Sequence, residues 1–141
     1  MALLEAKRVV KPGGLIVLGI WDKPEKSDAT EVLKAIGSLL PPPPPGTPGP
    51  FALSEDGKIE STFENIGMHV VYRASVPCPF LYSSLGDGIK SFMGTGPAAA
   101  AINNSNKQTV EATIAKALQP FHVVDDLHFL ENQFLFFIAQ K

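Results

Sequence analysis

Four residues, Lys11-Pro12-Gly13-Gly14, followed at once by Leu15-Ile-Val-Leu-Gly-Ile20, restrict what this chain can fold into more than any other segment. Proline lacks an amide donor and glycine favours turns, so a helix arriving through Leu3, Leu4 and Val10 must end there. The next six residues are apolar apart from one glycine and carry no charge. Such a run fits a strand covered on both faces, as in a parallel sheet. Helix, sharp turn and strand in that order place the chain in the α/β class.

The rest of the chain alternates in the same way. Asp28 and Glu31 read as a capping box ahead of a helix through Val32, Leu33, Ile36 and Leu40. Pro41 to Pro45 forces an extended polyproline II segment, and the proline-rich loop continues through residues 41–50. Ser54 is the expected N-cap of a helix bearing Ile59, Phe63 and Ile66, with Gly67 closing it. Val70, Tyr72, Ala74 and Val76 alternate with His69, Val71, Arg73 and Ser75 as a strand does, until Pro77 and Pro79 stop it.

A helical insert over residues 83–118 follows. It contains a helix from Ser83 to Met93, a break at Gly94 to Pro97, a short alanine-rich helix and a polar turn at Asn103 to Asn106. A last helix runs from Thr109 to Leu118, with Val110, Ile114 and Leu118 facing inward. The final strand is expected over residues 127–140 as one long element bent near Glu131-Asn132.

Composition removes several function classes. A chain of 141 residues with 45% apolar content can build one domain core. A net charge of −2, with 12 Lys and Arg spread along the chain, gives no general attraction to nucleic acid or anionic membranes. Neither is expected as a partner. Cys78 is alone, so no intrachain disulfide forms, and no zinc-ligand spacing exists. A cytoplasmic protein without a metal is the expectation. The apolar N-terminal stretch is broken by Lys7, Arg8, Lys11 and Pro12, which excludes a signal peptide or membrane span there.

Glu5-Ala-Lys-Arg-Val-Val-Lys-Pro-Gly-Gly14 with Leu15 to Trp21 resembles the helix, turn and fifth strand of class I S-adenosylmethionine-dependent methyltransferases. Phe51-Ala-Leu-Ser54, Ile59-Glu60 and Asn65-Ile-Gly67 are similar to the family's helix before strand six. Pro79-Phe-Leu-Tyr82, Gly96-Pro97-Ala98 and Asn132-Gln-Phe134 resemble one bacterial subgroup, the methyltransferase type 11-like proteins with a helical insert before the last strand. The resemblance spans nearly all of residues 1–141 and implies a partial Rossmann-like methyltransferase sheet, the C-terminal part of the domain. It also implies that strand five pairs with strand four on one side and with a late antiparallel strand on the other.

In the family a glycine-rich turn after strand one and an acidic residue ending strand two hold S-adenosylmethionine, and residue 1 falls beyond both. Gly86-Asp-Gly88 has no strand feeding it and does not replace the turn. The resemblance therefore implies S-adenosylmethionine for the complete family domain, with no cofactor-binding residue in this chain and no transferase activity alone.

Three residues are substrate-binding candidates. Trp21 ends a strand on the carboxyl side, where open α/β sheets bind ligands, although capping the core under the proline loop explains it equally well. Phe80 and Tyr82 follow strand six and would line a substrate cavity under the insert, against the plainer reading of ordinary packing. His69, His122 and His128 lack partners at catalytic spacing, and no catalytic residue is assigned. Cys78, between two prolines, is expected to be buried or inert.

The proline run fits an SH3 or WW ligand but suits a stiff spacer better. The functional expectation is the substrate-side portion of a methyltransferase acting on a small molecule, partnered by an N-terminal methyltransferase half or by a second copy. The alternative is a non-enzymatic half-domain that dimerises or binds a partner through a bare strand edge.

Overall fold

A computed structural model describes residues 2–141, a mixed α/β chain that divides into two compact units. Among the described residues no helix is long and apolar enough to cross a membrane. The first unit takes residues 1–26, 48–78 and 133–141. It contains helix α1 (Ala2–Val9), strand β1 (Leu15–Trp21), a 3-10 turn (Pro24–Lys26), helix α3 (Lys58–Asn65), strand β2 (His69–Pro77) and strand β5 (Gln133–Gln140). The second takes residues 27–47 and 79–132. It holds α2 (Ala29–Gly37), β3 (Phe80–Tyr82), α4 (Leu85–Met93), α5 (Gly96–Asn104), α6 (Lys107–Leu118) and β4 (His128–Leu130).

In the first unit the turn behaves as its residues require. Gly13 sits at φ +74°, and a Cβ on Gly14 would lie 2.8 Å from Val10 Cγ2 and 2.9 Å from the Lys11 carbonyl, so only glycine fits there. The amide of Gly13 donates to the Lys141 carbonyl at 3.0 Å, and that of Lys141 donates to Gly14 at 3.1 Å. The Lys141 ammonium also closes the end of α1, donating to the carbonyls of Lys7 at 2.7 Å and Val10 at 2.8 Å.

The sheet of this unit has the order β1-β5-β2. β5 is antiparallel to both neighbours, pairing Leu15 with Gln140 through Trp21 with Phe134 on one side, and His69 with Gln140 through Pro77 with Gln133 on the other. β1 and β2 therefore run in the same direction with β5 between them. One face is a packed core of Leu135, Phe137 and Ala139 against Ile59, Phe63, Ile66 and Met68, joined by Leu3, Ile16, Leu18, Ile20 and Val70. The expectation that β1 is covered on both faces is corrected here: Leu15 and Val17 are 55% and 63% exposed. The apolarity of the run reports that each side chain prefers burial, and the helices of this unit supply it on one face only.

Helix α3 begins later than expected. Ser54 is buried but its hydroxyl donates to the Phe51 carbonyl at 2.8 Å, and Gly57, at φ +76°, precedes the helix instead. The turn in which the Lys58 amide bonds the Glu55 carbonyl displaces the start by one turn. Gly67 terminates α3 region as expected, at φ +67° with its amide on the Glu64 carbonyl.

In the second unit, Asp28 does not cap α2, which corrects the capping-box expectation. Its residue is already helical in φ and ψ, and its carboxylate accepts from the Glu131 amide at 2.7 Å. Buried Asn132 takes the capping part, accepting from the Ala29 amide at 3.1 Å. The expected single strand over residues 127–140 is likewise divided at Glu131-Asn132. β4 pairs with β3 in a separate two-stranded sheet, Phe80 opposite Leu130 and Tyr82 opposite His128, while β5 belongs to the first unit.

Side-chain caps start the three insert helices: Ser84 accepts from Asp87, Thr95 from Ala98 and Asn106 from Thr109. Val110, Ile114 and Leu118 are fully buried, as their spacing predicts. Gly88 permits α4 to pack closely, since a Cβ there would lie 2.9 Å from Leu118 Cδ1 and 3.3 Å from Tyr82 Cδ2. Every residue of the proline loop 41–50 is exposed.

Candidate functional site

The densest arrangement of polar and aromatic side chains in the first unit lies at the carboxyl ends of β1 and β2. Asp22 follows β1 directly and its carboxylate is buried, with 2% of the side chain exposed. It accepts from the Lys23 amide at 2.7 Å, from Lys26 Nζ at 3.0 Å and from Ser75 Oγ on β2 at 2.6 Å. Burial pushes its acidity toward the neutral form, but the hydrogen bonds from Ser75, Lys23 and Lys26 outweigh that and hold the carboxyl below the usual aspartate range.

Ser75 Oγ also lies 2.7 Å from the Gln133 side-chain amide. One hydroxyl hydrogen cannot serve two acceptors. Ser75 therefore donates to Asp22 and receives from Gln133, whose amide group turns its NH2 inward and its oxygen outward.

Aromatic rings stand beside this network. Trp21 lies 4.4 Å from Phe134 between ring centroids, and 6.2 Å edge-on from Phe51, the residue immediately after the proline loop. A groove of about 430 Å³ runs past Phe51 and is lined by Lys23, Pro24, Glu25, Ser54, Glu55 and Asp56. Within this lining Lys23 bonds Asp56 at 2.8 Å, and Arg73, from β2, reaches Asp56 at 3.3 Å and Glu60 at 3.7 Å. The hydrogen bond that Lys23 donates to Asp56 holds its ammonium pKa above the usual value, and the hydrogen bonds from Lys23 and Arg73 hold the Asp56 carboxyl below its own.

Trp21 is the last residue of β1 and is half-buried beside the rings of Phe134 and Phe51. Phe80 and Tyr82 lie in the second unit. They are 6.3 Å apart edge-on, Tyr82 meets Phe92 at 6.2 Å, and its hydroxyl bonds Ser91 at 3.3 Å. Tyr82 is packed against α4.

His69 is exposed on β2. His122 and His128 stack edge-on at 5.4 Å, and each ring bonds a backbone carbonyl, His122 Nε2 that of Asp125 and His128 Nδ1 that of Asp126. A carbonyl only accepts, so those nitrogens carry the hydrogens. Cys78 is exposed, so of the two expected states, buried or inert, burial does not hold. Among the described residues no group of three or more His, Cys, Asp or Glu side chains could hold a metal ion.

Sequence reasoning reached Trp21, the residue before Asp22, at the strand end but not the network that Asp22 makes there. Ser75 and Gln133 become neighbours of Asp22 only through the β2–β5 register, which no local pattern encodes. The chain matches no protein-family model and no curated protein sequence.

Proposed function

We propose that this chain forms the substrate-side, C-terminal portion of an S-adenosylmethionine-dependent methyltransferase domain acting on a small molecule. One observation carries the reading. β1 and β2 flank a late antiparallel strand, with α3 between them in sequence and a helical insert before β5. The late antiparallel strand beside β1 and the insert before it agree with what the motif resemblance implies for strand five and the last strand. A wide-open outer edge of β1, where strand four would pair, also supports it. Trp21, at a strand end of the first unit, and Phe80 and Tyr82, in the second, remain the substrate-binding candidates of this reading.

The residues present do not fit the cofactor itself. At Gly86-Asp87-Gly88 the amides of Asp87 and Gly88 are already taken by Ser84, and Gly88 is closed off by Leu118 and Tyr82. The carboxylate of Asp22 is buried and already receives three donors, so it is not presented to ribose hydroxyls. Cofactor contacts belong to another βαβ portion, carried on the same or a separate polypeptide. A second reading, a non-enzymatic module that joins copies or partners, is favoured by the same open edge.

The test is co-expression with a segment encoded immediately upstream that carries a glycine-rich βαβ unit. A co-purifying complex that binds S-adenosylmethionine is the expected result. A well-folded chain that ignores such a segment overturns the proposal.

A further inference from the structure

Two of the three histidines are built into one turn of the second unit. His122 follows a 3-10 turn (Gln119–Phe121), His128 opens β4, and the two pair across an isolated antiparallel bridge. The residues between them fold back on themselves, with the Val123 amide on the Leu127 carbonyl at 2.9 Å and the Leu127 amide on the Val124 carbonyl at 2.8 Å. Asp125 rounds this turn at φ +55°, in the left-handed region.

The turn fixes both rings. His122 donates from Nε2 to the Asp125 carbonyl at 2.7 Å, and His128 donates from Nδ1 to the Asp126 carbonyl at 2.9 Å. With the hydrogens held there, the neutral rings keep their lone pairs on His122 Nδ1 and His128 Nε2. Neither of these nitrogens has a hydrogen-bond partner among the described residues. His128 is only 2% exposed. Yet Ser27 Oγ is the one side-chain polar atom among the described residues that is both sealed and unpartnered, so His128 Nε2 still opens to solvent. A metal-ligating histidine characteristically ties its second nitrogen to a backbone carbonyl or carboxylate, which sets its tautomer and ring direction.

We infer that His122 Nδ1 and His128 Nε2 form a two-imidazole site for one divalent transition-metal ion of the Zn2+, Cu2+ or Ni2+ class. The inference rests on this turn alone, independent of the methyl-transfer reading, and departs from the composition-based expectation of a metal-free chain.

The spacing of the rings fits such an ion. Metal–nitrogen bonds of ~2.0–2.1 Å at a tetrahedral angle, with ~1.1 Å from each nitrogen to its ring centre, put two ligating rings about 5 Å apart. The observed separation is 5.4 Å. Coordination constrains the nitrogens and leaves the angle between ring planes free, so the 69° crossing is compatible. The bound nitrogens reach adjacent carbonyls of one turn, which leaves the free nitrogen of each ring directed away from that turn. Asp125 and Asp126 place two negative charges in the same turn, and residues 117–140 include no lysine or arginine. Imidazole suits Zn2+, Cu2+ and Ni2+, whereas Mg2+ and Ca2+ take oxygen ligands. Two protein ligands are fewer than the three or four of resident zinc sites, so water fills the other positions and the ion exchanges.

Zn2+ titrations of the untagged 141-residue chain test this, read by calorimetry and by NMR of the imidazole nitrogens. One equivalent is expected to bind saturably, moving the Nδ1 signal of His122 and the Nε2 signal of His128 while those of exposed His69 stay in place. His122→Phe keeps a ring beside His128 at an exposed position but removes the ligand. It is expected to weaken binding by at least about tenfold with circular dichroism unchanged, whereas His69→Asn leaves binding as it was. No saturable binding at millimolar Zn2+, binding that survives His122→Phe, or binding that moves His69 in place of the pair overturns the site. Coordination through His122 Nε2 or His128 Nδ1 overturns the assignment of the ligating atoms.

Discussion

Replacing Asp22 with Asn tests whether the network at the strand ends holds the first unit together. The substitution is nearly isosteric and keeps one oxygen for the Lys23 amide. Its new NH2 group, however, faces Ser75 Oγ and Lys26 Nζ, which donated to the carboxylate it replaces. Hydrogen bonds to a charged group contribute about 1.5–3 kcal/mol each, and Ser75 recovers part of the loss once the Gln133 amide reverses and offers its oxygen to the freed hydroxyl hydrogen. Lys26 is 43% exposed, so water screens its share. The net cost is about 2 kcal/mol at neutral pH.

The sign of the pH dependence follows from the depressed folded-state pKa. At pH 7 Asp22 is ionised in folded and unfolded chains alike, and its stabilisation is fully present. As pH falls below about 4, the usual aspartate value, the unfolded chain takes up the proton first. The advantage then shrinks until the folded carboxyl is protonated too. Urea titrations of the native chain and Asp22→Asn between neutral and acid pH should show a stability gap that closes on the acid side. A Ser75→Ala background should reduce the gap by roughly 1 kcal/mol if the two side chains are coupled as the geometry shows. A gap below about 0.5 kcal/mol at pH 7, or one that stays constant through the acid range, refutes the account.

Three further outcomes follow from packing and hydrogen bonding. Gly88→Ala places a methyl 2.9 Å from Leu118 and should destabilise the second unit by about 1–3 kcal/mol, read by thermal unfolding. Ser27→Ala removes a buried hydroxyl that has no hydrogen-bond partner among the described residues and should be neutral or stabilising in denaturant titrations, the opposite of most buried substitutions. Lys141→Ala uncaps α1 and should speed hydrogen exchange of the Val10 amide, which bonds the Ala6 carbonyl in the last turn, while leaving the α6 amides unchanged.

How much of this was legible beforehand depends on the range of the interactions involved. Helix spans, the turn at Gly13-Gly14 and the inward row of Val110, Ile114 and Leu118 follow from contacts a few residues apart, and the sequence displays them. The capping of α2 does not. Asp28 looks like its own helix cap, but Asn132, 103 residues from the Ala29 amide it accepts from, supplies the acceptor while Asp28 bonds Glu131. The same long-range exchange breaks the expected last strand, because Glu131-Asn132 is committed to α2 and cannot remain in a ladder.

Ser75 and Gln133 are equally silent in isolation, one a polar residue on an alternating strand and the other the first residue of an apolar one. They meet Asp22 only when β5 enters between β1 and β2. That intrusion also explains why an apolar run with the composition of a fully buried strand leaves Leu15 and Val17 in the open. The strand supplies apolar side chains to two faces and hydrogen-bonding groups to two edges, and this unit covers one of each. Among the described residues the outer edge of β1 and one face of its apolar run therefore stay uncovered, although each of those side chains prefers burial.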